Sequence, residues 1–278
     1  MPNPSGYPPD TAGLRGSLQR VSPGPDTVDS TELQQLVDDS RWYHTIELAP
    51  GVTTPGFFDH RAMVGRYGLP DSLIGLRALD VGTFDGFWAF ELERRGAEVV
   101  ALDIEKLEDL DWPPRLRESG LRGEAANADM QSAGRSFGIA HRALSSSVRR
   151  EVVSVYDATP ERLGGTFDLV FCGSVLAHLR DPALALERMA GLCHGQLVFA
   201  DVYSRKLGWL PFPVAEFTGE SPWMTWWVPS SRTWCSMVRC AGFENVHKVD
   251  NFTLAMRGAR RGVPHVVIYA RGPAPPQR

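Results

Sequence analysis

The stretch Arg77–Asp103, RALDVGTFDGFWAFELERRGAEVVALD, decides the fold. Ala78–Val81 is an apolar run of strand length, and Gly82 and Gly86 punctuate the turn that follows. A helix is predicted from Phe87 to about Arg95, then a second apolar strand ending in an acid, Asp103. A strand, turn, helix and strand in this order build a parallel sheet, where glycine beneath a helix N-terminus lets a ligand approach the backbone without meeting a Cβ. An acid at the tip of the neighbouring strand can accept both hydroxyls of a ribose. Together the two features predict a ligand that contains an adenosine.

The spacing narrows the choice. A dinucleotide fingerprint needs G-x-G-x-x-G so that a pyrophosphate can sit on the helix N-terminus. Here the turn reads Gly82-Thr83-Phe84-Asp85-Gly86, with a bulky ring in the second glycine's place and a negative charge beside it. A diphosphate meets both unfavourably, whereas a tail carrying an ammonium and a thioether tolerates them. S-adenosylmethionine is therefore expected over NAD, and an NAD dehydrogenase is the weaker rival.

The whole chain sets wider bounds. Its 278 residues suffice for one large α/β domain with elaborations, and 43% hydrophobic against 22% charged residues is the balance of a globular enzyme. No apolar run approaches a membrane span and the N-terminus lacks a signal-peptide pattern, so a cytoplasmic enzyme with no membrane partner is expected. The net charge of -4 does not advertise the basic face of an RNA-binding protein. Cys172, Cys193, Cys235 and Cys240 form no C-x-x-C pair, which predicts reduced, buried thiols and no metal.

Residues 1–26, rich in Pro, Gly and Ser, read as a flexible tail. Residues 27–74 read as a cover: Ser30 caps a helix to about Asp39, and an aromatic segment broken by Pro50, Pro55 and Pro70 follows. From residue 75 to the C-terminus strands alternate with helices. EVVSVYDATP supplies a third strand with Asp157 just past its end, FDLVFC a fourth up to the break at Gly173-Ser174, and Gln196–Asp201 a fifth. Residues 203–229 form an aromatic insertion containing Trp209, Phe212, Phe217, Trp223, Trp226 and Trp227. Ser230 or Ser231 caps a helix to about Cys240, and Glu244–Val249 with His265–Tyr269 close the chain. The fold class is α/β, a Rossmann-like doubly wound sheet of seven strands with an antiparallel edge strand.

In LDVGTFDG, Asp103, Asp157 and FDLVFCGSVLAH, taken in this order, the chain resembles the class I S-adenosylmethionine-dependent methyltransferases over roughly residues 75–271. The resemblance implies a cofactor cradle of Asp80, Gly82, Thr83, Phe84 and Gly86, with Asp103 and Ile104 at the ribose. Tyr156 and Asp157 would flank the adenine, and Cys172, Gly173 and Ser174 would line the methionine side. VLAHLRDP and WWVPSSRTWCSMVRCAGFENVHKVD are similar to the tRNA wobble-uridine (carboxy)methyltransferases and their plain-methyltransferase relatives. That family implies an aromatic from the cover near the cofactor, matched by Phe57 or Phe58, and an arginine matched by Arg261 or Arg260. Two departures matter. Ala177 stands where the tRNA enzyme has a tyrosine beside the cofactor carboxylate, and Trp42-Tyr43-His44 where it has a lysine. Ordinary S-adenosylmethionine is therefore expected, with S-adenosylhomocysteine as product.

A sulfonium already activates its methyl group, so catalysis is mostly positioning in a water-poor pocket, plus a base if the acceptor carries a proton. His178, just after the fourth strand, and His44 in the cover are the candidate bases. Tyr43, Trp223, Trp226, Trp227 and Arg261 are the candidate acceptor contacts. The reading is methyl transfer to a small molecule. Its rivals are methylation of tRNA and a cofactor-binding protein of the same fold without methyl transfer. The sequence assigns neither the acceptor atom nor an oligomeric state.

Overall fold

A computed structural model describes residues 29–115, 117, 124–219 and 224–273. The expected tail, residues 1–26, and Trp223 lie outside them.

The cover opens with α1 (Ser30–Asp38), whose N-cap is Asp29 rather than Ser30. The Trp42 indole donates to the Val37 carbonyl near the helix end (3.0 Å). A short hairpin follows, β1 (Glu47–Ala49) with β2 (Val52–Thr53), and then a 3-10 helix, Arg61–Tyr67. Between them the chain doubles back. The Thr45 amide donates to Phe58 O and the Phe58 amide to Tyr43 O. Gly56 makes this return possible, since a Cβ there would lie 2.0 Å from the His44 carbonyl carbon.

The main body runs β3 (Arg77–Val81), α2 (Phe87–Arg94), β4 (Glu98–Asp103), α3 (Glu124–Ala143) and β5 (Arg149–Val152). Then come β6 (Phe167–Gly173), α4 (Pro182–Leu192) and β7 (Cys193–Val202). The insertion carries its own hairpin, β8 (Ala215–Phe217) with β9 (Trp227–Pro229). α5 (Ser231–Cys240), capped by Ser230 accepting from the Thr233 amide, leads to β10 (Glu244–Leu254) and β11 (Val263–Arg271). The seven-stranded sheet has the order β10-β11-β7-β6-β3-β4-β5. β11 is the reversed strand, antiparallel to both β7 and β10, and it sits one place in from the edge that β10 forms.

Strand periodicity divides the core in two. Ala78, Phe171, Val198 and Ala200 face the layer holding the cover, α2 and α3. Leu79, Val81, Val170, Cys172 and Phe199 face the layer holding α4 and α5, where Trp234 is fully buried. The third strand is shorter than its sequence suggests. EVVSVYDATP leaves the sheet after Val152 because the Ser154 hydroxyl accepts from the Tyr156 amide and caps a 3-10 turn, Val155–Asp157. Of the thiols expected to be buried, Cys172 and Cys193 are, Cys235 is half-buried, and Cys240 is exposed; all four are free.

Candidate active site

The chain leaves β3 through a turn whose geometry matches its sequence. Gly82 is left-handed (φ +76°), and a Cβ there would lie 2.2 Å from Val175 Cγ2. The amides of Gly82 and Thr83 donate to the Leu102 carbonyl, which ties the turn to the end of β4. Phe84, with a side chain, is also left-handed (φ +51°), a conformation that costs energy and persists where the surroundings demand it. Its amide donates to Asp103 Oδ2 (2.6 Å), and the Ile104 amide to Oδ1 (2.8 Å). Burial pushes the Asp103 carboxyl up to about 6 despite those two amides and the Arg150 charge. Each carboxylate oxygen still has a lone pair to offer.

Beside the turn two buried oxygens, Asp80 Oδ2 and Thr83 Oγ1, make no hydrogen bond of standard geometry, although the Thr83 hydroxyl is close enough to the Asp80 carboxyl to work against the effect of burial on it. Burial also lifts the Asp80 carboxyl, to about 7. Buried oxygens without a well-formed hydrogen bond, at a strained turn, are what a site for a polar, partly cationic ligand looks like before binding. Beyond the ends of β4 and β5, Ile104, Asp157, Ser154 and Val153 line an open cavity of about 400 Å³. The Tyr156 hydroxyl, by contrast, donates to Asp111 Oδ2 (2.6 Å) and accepts from the Asp181 amide. It fastens the loop after β4 to the start of α4.

The end of β6 carries Cys172, Gly173 and a left-handed Ser174 (φ +57°). Ser174 Oγ lies 2.9 Å from His265 Nε2, whose Nδ1 lies 3.0 Å from the Val263 carbonyl; the serine therefore donates to a neutral imidazole. Burial keeps the His265 pKa low. Asp201, at the end of β7, accepts from the Leu176 and Ala177 amides, and burial raises its carboxyl to about 7. His265, one histidine among apolar strand residues, carried no signal that could have found it. Asp201 carried one signal, an acid closing an apolar strand.

Asp85 corrects an expectation. It does not face a ligand: it is fully buried, and Oδ2 accepts from the amides of Tyr43 and His44 (2.8 Å each), while Oδ1 pairs with His44 Nδ1. The exclusion of a diphosphate thus rests on Phe84. His44 is placed as half of a buried bolt joining the cover to the glycine turn, and its ring stacks on Phe87. Tyr43 lies over the turn, its ring 5.2 Å from Phe84 and 5.0 Å from Phe58, with burial raising its hydroxyl pKa. Of the two cover phenylalanines, Phe58 is turned inward (8% exposed). Phe57 (46%) lines a separate cavity of about 200 Å³ with Thr45, Met256 and Arg257.

The insertion closes the other side. The Trp226 amide donates to Ala177 O and its indole to Asp111 O (2.7 Å each); the Trp227 indole donates to Arg180 O. The Arg180 guanidinium lies 5.1 Å above the Trp226 ring. Phe84, Ile104, Leu110 and Met224 pack around Trp112. His178 sits at this mouth with Nδ1 3.2 Å from the Met224 carbonyl, and burial lowers its pKa. Arg261 stands apart, exposed on the loop between β10 and β11.

A family model described as a methyltransferase domain matches residues 57–248. Among curated proteins, the magnesium-protoporphyrin O-methyltransferase of Rhodobacter capsulatus is 49% identical over 53 residues, which span 18% of this chain and 24% of that protein. Among solved structures, the N-terminal domain of EvdMO1 with S-adenosylhomocysteine bound matches with a TM-score of 0.55 at 18% identity. It covers 90% of this chain and 100% of that one. EvdMO1 itself matches with a TM-score of 0.53 at 18% identity, over 88% of this chain and 48% of that one. At these identities the structural likeness carries the fold alone.

Proposed function

The chain belongs to the methyltransferase-domain family, and on that premise we propose that it transfers a methyl group from S-adenosylmethionine to a small-molecule acceptor. The observation that carries the reading is the turn itself: a strained Phe84, an Asp103 with lone pairs to spare, and beside them the buried Asp80 Oδ2 and Thr83 Oγ1, which make no hydrogen bond of standard geometry. The residues fit the cofactor. Asp103 would take the two ribose hydroxyls, the cavity at Ile104 and Asp157 would take the adenine, and Asp80 with Thr83 would face the cationic methionine end. S-adenosylmethionine, when bound, supplies a methyl group already activated on a sulfonium.

The protein's remaining work is to orient the acceptor, exclude water and move one proton. Tyr43 and Phe58 from the cover and Trp112 and Met224 from the opposite side wall the turn with apolar surface. His178 is our candidate base. Its Nδ1–H donates to the Met224 carbonyl, which leaves Nε2 as the acceptor, and its lowered pKa keeps the ring neutral and ready at neutral pH. The curated relative's name gives magnesium-protoporphyrin as an acceptor and oxygen as its methylated atom, and this supports a small, flat acceptor here.

Wobble-uridine methylation of tRNA is the rival on resemblance. Against it stand the net charge of -4 and Ala177, which offers a cofactor carboxylate only a buried methyl. The deciding experiment incubates the protein with labelled S-adenosylmethionine and a panel of phenolic, hydroxyl and amine acceptors and measures S-adenosylhomocysteine release. Turnover with at least one acceptor is expected. His178→Gln should lower kcat about 100-fold or more with S-adenosylhomocysteine affinity unchanged. No release with any acceptor, together with tight, salt-sensitive tRNA binding, would overturn the small-molecule reading.

A further inference from the structure

The segment Arg205–Pro213, RKLGWLPFP, leaves the end of β7 and exposes its largest apolar side chains. Trp209 is 91% exposed and Phe212 55%, with Leu210 between them. A tryptophan with nine-tenths of its surface in water is not packing the insertion, and it is not lining the site. Pro211 and Pro213 fix the backbone on either side of Phe212, so these side chains are held outward at little further entropic cost.

The charge around this knob is one-sided. The Arg205 guanidinium donates to Thr253 Oγ1 (2.6 Å), which fastens the base of the segment to the end of β10. The next loop, residues 255–262, exposes Arg257, Arg260 and Arg261. Across residues 203–220 and 255–262 the carboxylates are Glu216 and Glu220, against these three arginines, Arg205 and Lys206, in a chain whose net charge is -4, and Asp59 of the cover lies near Arg257. An aromatic and leucine tip rimmed with Lys and Arg is the composition that settles at the headgroup level of an anionic bilayer, where the rings enter the interface and the cations meet lipid charge. A protein partner needs roughly 800 Å² per side of continuous complementary surface. Three side chains projecting from one loop make a wedge instead of a face.

We propose that Trp209, Leu210 and Phe212, flanked by Arg205, Lys206 and the arginines of residues 257–261, seat the protein peripherally on an anionic lipid surface. No helix among the described residues is long and apolar enough to cross a membrane, so the contact is interfacial. The inference does not depend on which acceptor the enzyme uses.

The test is sedimentation of the full chain with phosphatidylcholine vesicles, with and without phosphatidylserine, at low and high salt. Binding to the anionic vesicles that weakens with salt is expected, and Trp209→Ser/Phe212→Ser should reduce it roughly tenfold or more while leaving the melting curve unchanged, since both residues are exposed. Brominated lipid should quench tryptophan emission in the native protein and less in Trp209→Phe. Three results would each overturn the proposal. These are no binding to anionic vesicles at low salt, equal binding by the double variant, or a dimer in solution that the double variant dissolves, which would make the wedge a contact between copies.

Discussion

Asp103 ties the glycine turn to the end of β4, and on the proposed reading it also holds the ligand. It takes the Phe84 and Ile104 amides, and a ribose diol would use what remains of its two oxygens. Asp103→Ala should weaken S-adenosylhomocysteine binding by about 1.5–3 kcal/mol, read by calorimetry on a variant that melts normally. The pH dependence has two opposite signs. With its folded pKa raised to about 6, the carboxyl's contribution to the stability of the free protein is greatest at acid pH and is lost as the pH rises to about 6. Ligand affinity follows the ionised forms of both acids, so it should begin to fall below about 7 through Asp80 and steepen below about 6 through Asp103, the second component alone being absent in Asp103→Asn. The placement of Asp103 at the end of β4 and of Gly82 and Gly86 in a left-handed turn was legible because these residues lie close together in sequence. Asp85 was not, because an acid in a loop reads as ligand-facing until its partner is known, and that partner, His44, lies 41 residues away. Ser174 and His265, 91 residues apart, left no local pattern at all.

The cover packs on the main body through buried apolar side chains and is pinned to the glycine turn through Asp85. Asp85 satisfies two buried amides and a buried imidazole at once, and Asp85→Asn keeps the size but removes the charge and one acceptor. A loss of about 3–5 kcal/mol in denaturant unfolding is expected. Faster hydrogen exchange confined to residues 42–58 would place that loss in the cover, whereas uniform exchange would show that the bolt serves the whole domain. At this scale the sequence predicted which elements exist better than where they end. Val153 and Val155 are as apolar as strand residues, and only the Ser154 cap turns the chain out of the sheet. The closing strand pair was expected to make an antiparallel edge, and it does: β10 forms the edge and β11, antiparallel to both its neighbours, lies beside it.

For the molecule as a whole, occupancy of the site should appear as stability. At a ligand concentration one hundred times Kd, S-adenosylhomocysteine should add about 2.7 kcal/mol, and NAD nothing. With each kcal/mol worth about 2–4 °C in a domain of this size, differential scanning fluorimetry should show a shift of several degrees for the first and none for the second. The sheet was legible because alternating apolar runs specify it from within. The insertion was legible only as alternatives: Trp226 and Trp227 read either as a roof over an acceptor or as packing, and what the structure adds is that their indoles donate to the carbonyls of Asp111 and Arg180, far away in sequence.

The contact between Phe58 and Met256 bears on how the chain is made. The cover is translated first, yet one of its supports belongs to the loop after β10, about 200 residues later, so at ordinary translation rates it waits about 10–40 s for that partner. Until then Trp42, Phe58 and Tyr67, all buried at the end, have no finished surface to cover. The newborn chain therefore passes through a stage in which these rings of the cover are exposed, a liability that ends only when the last strands arrive.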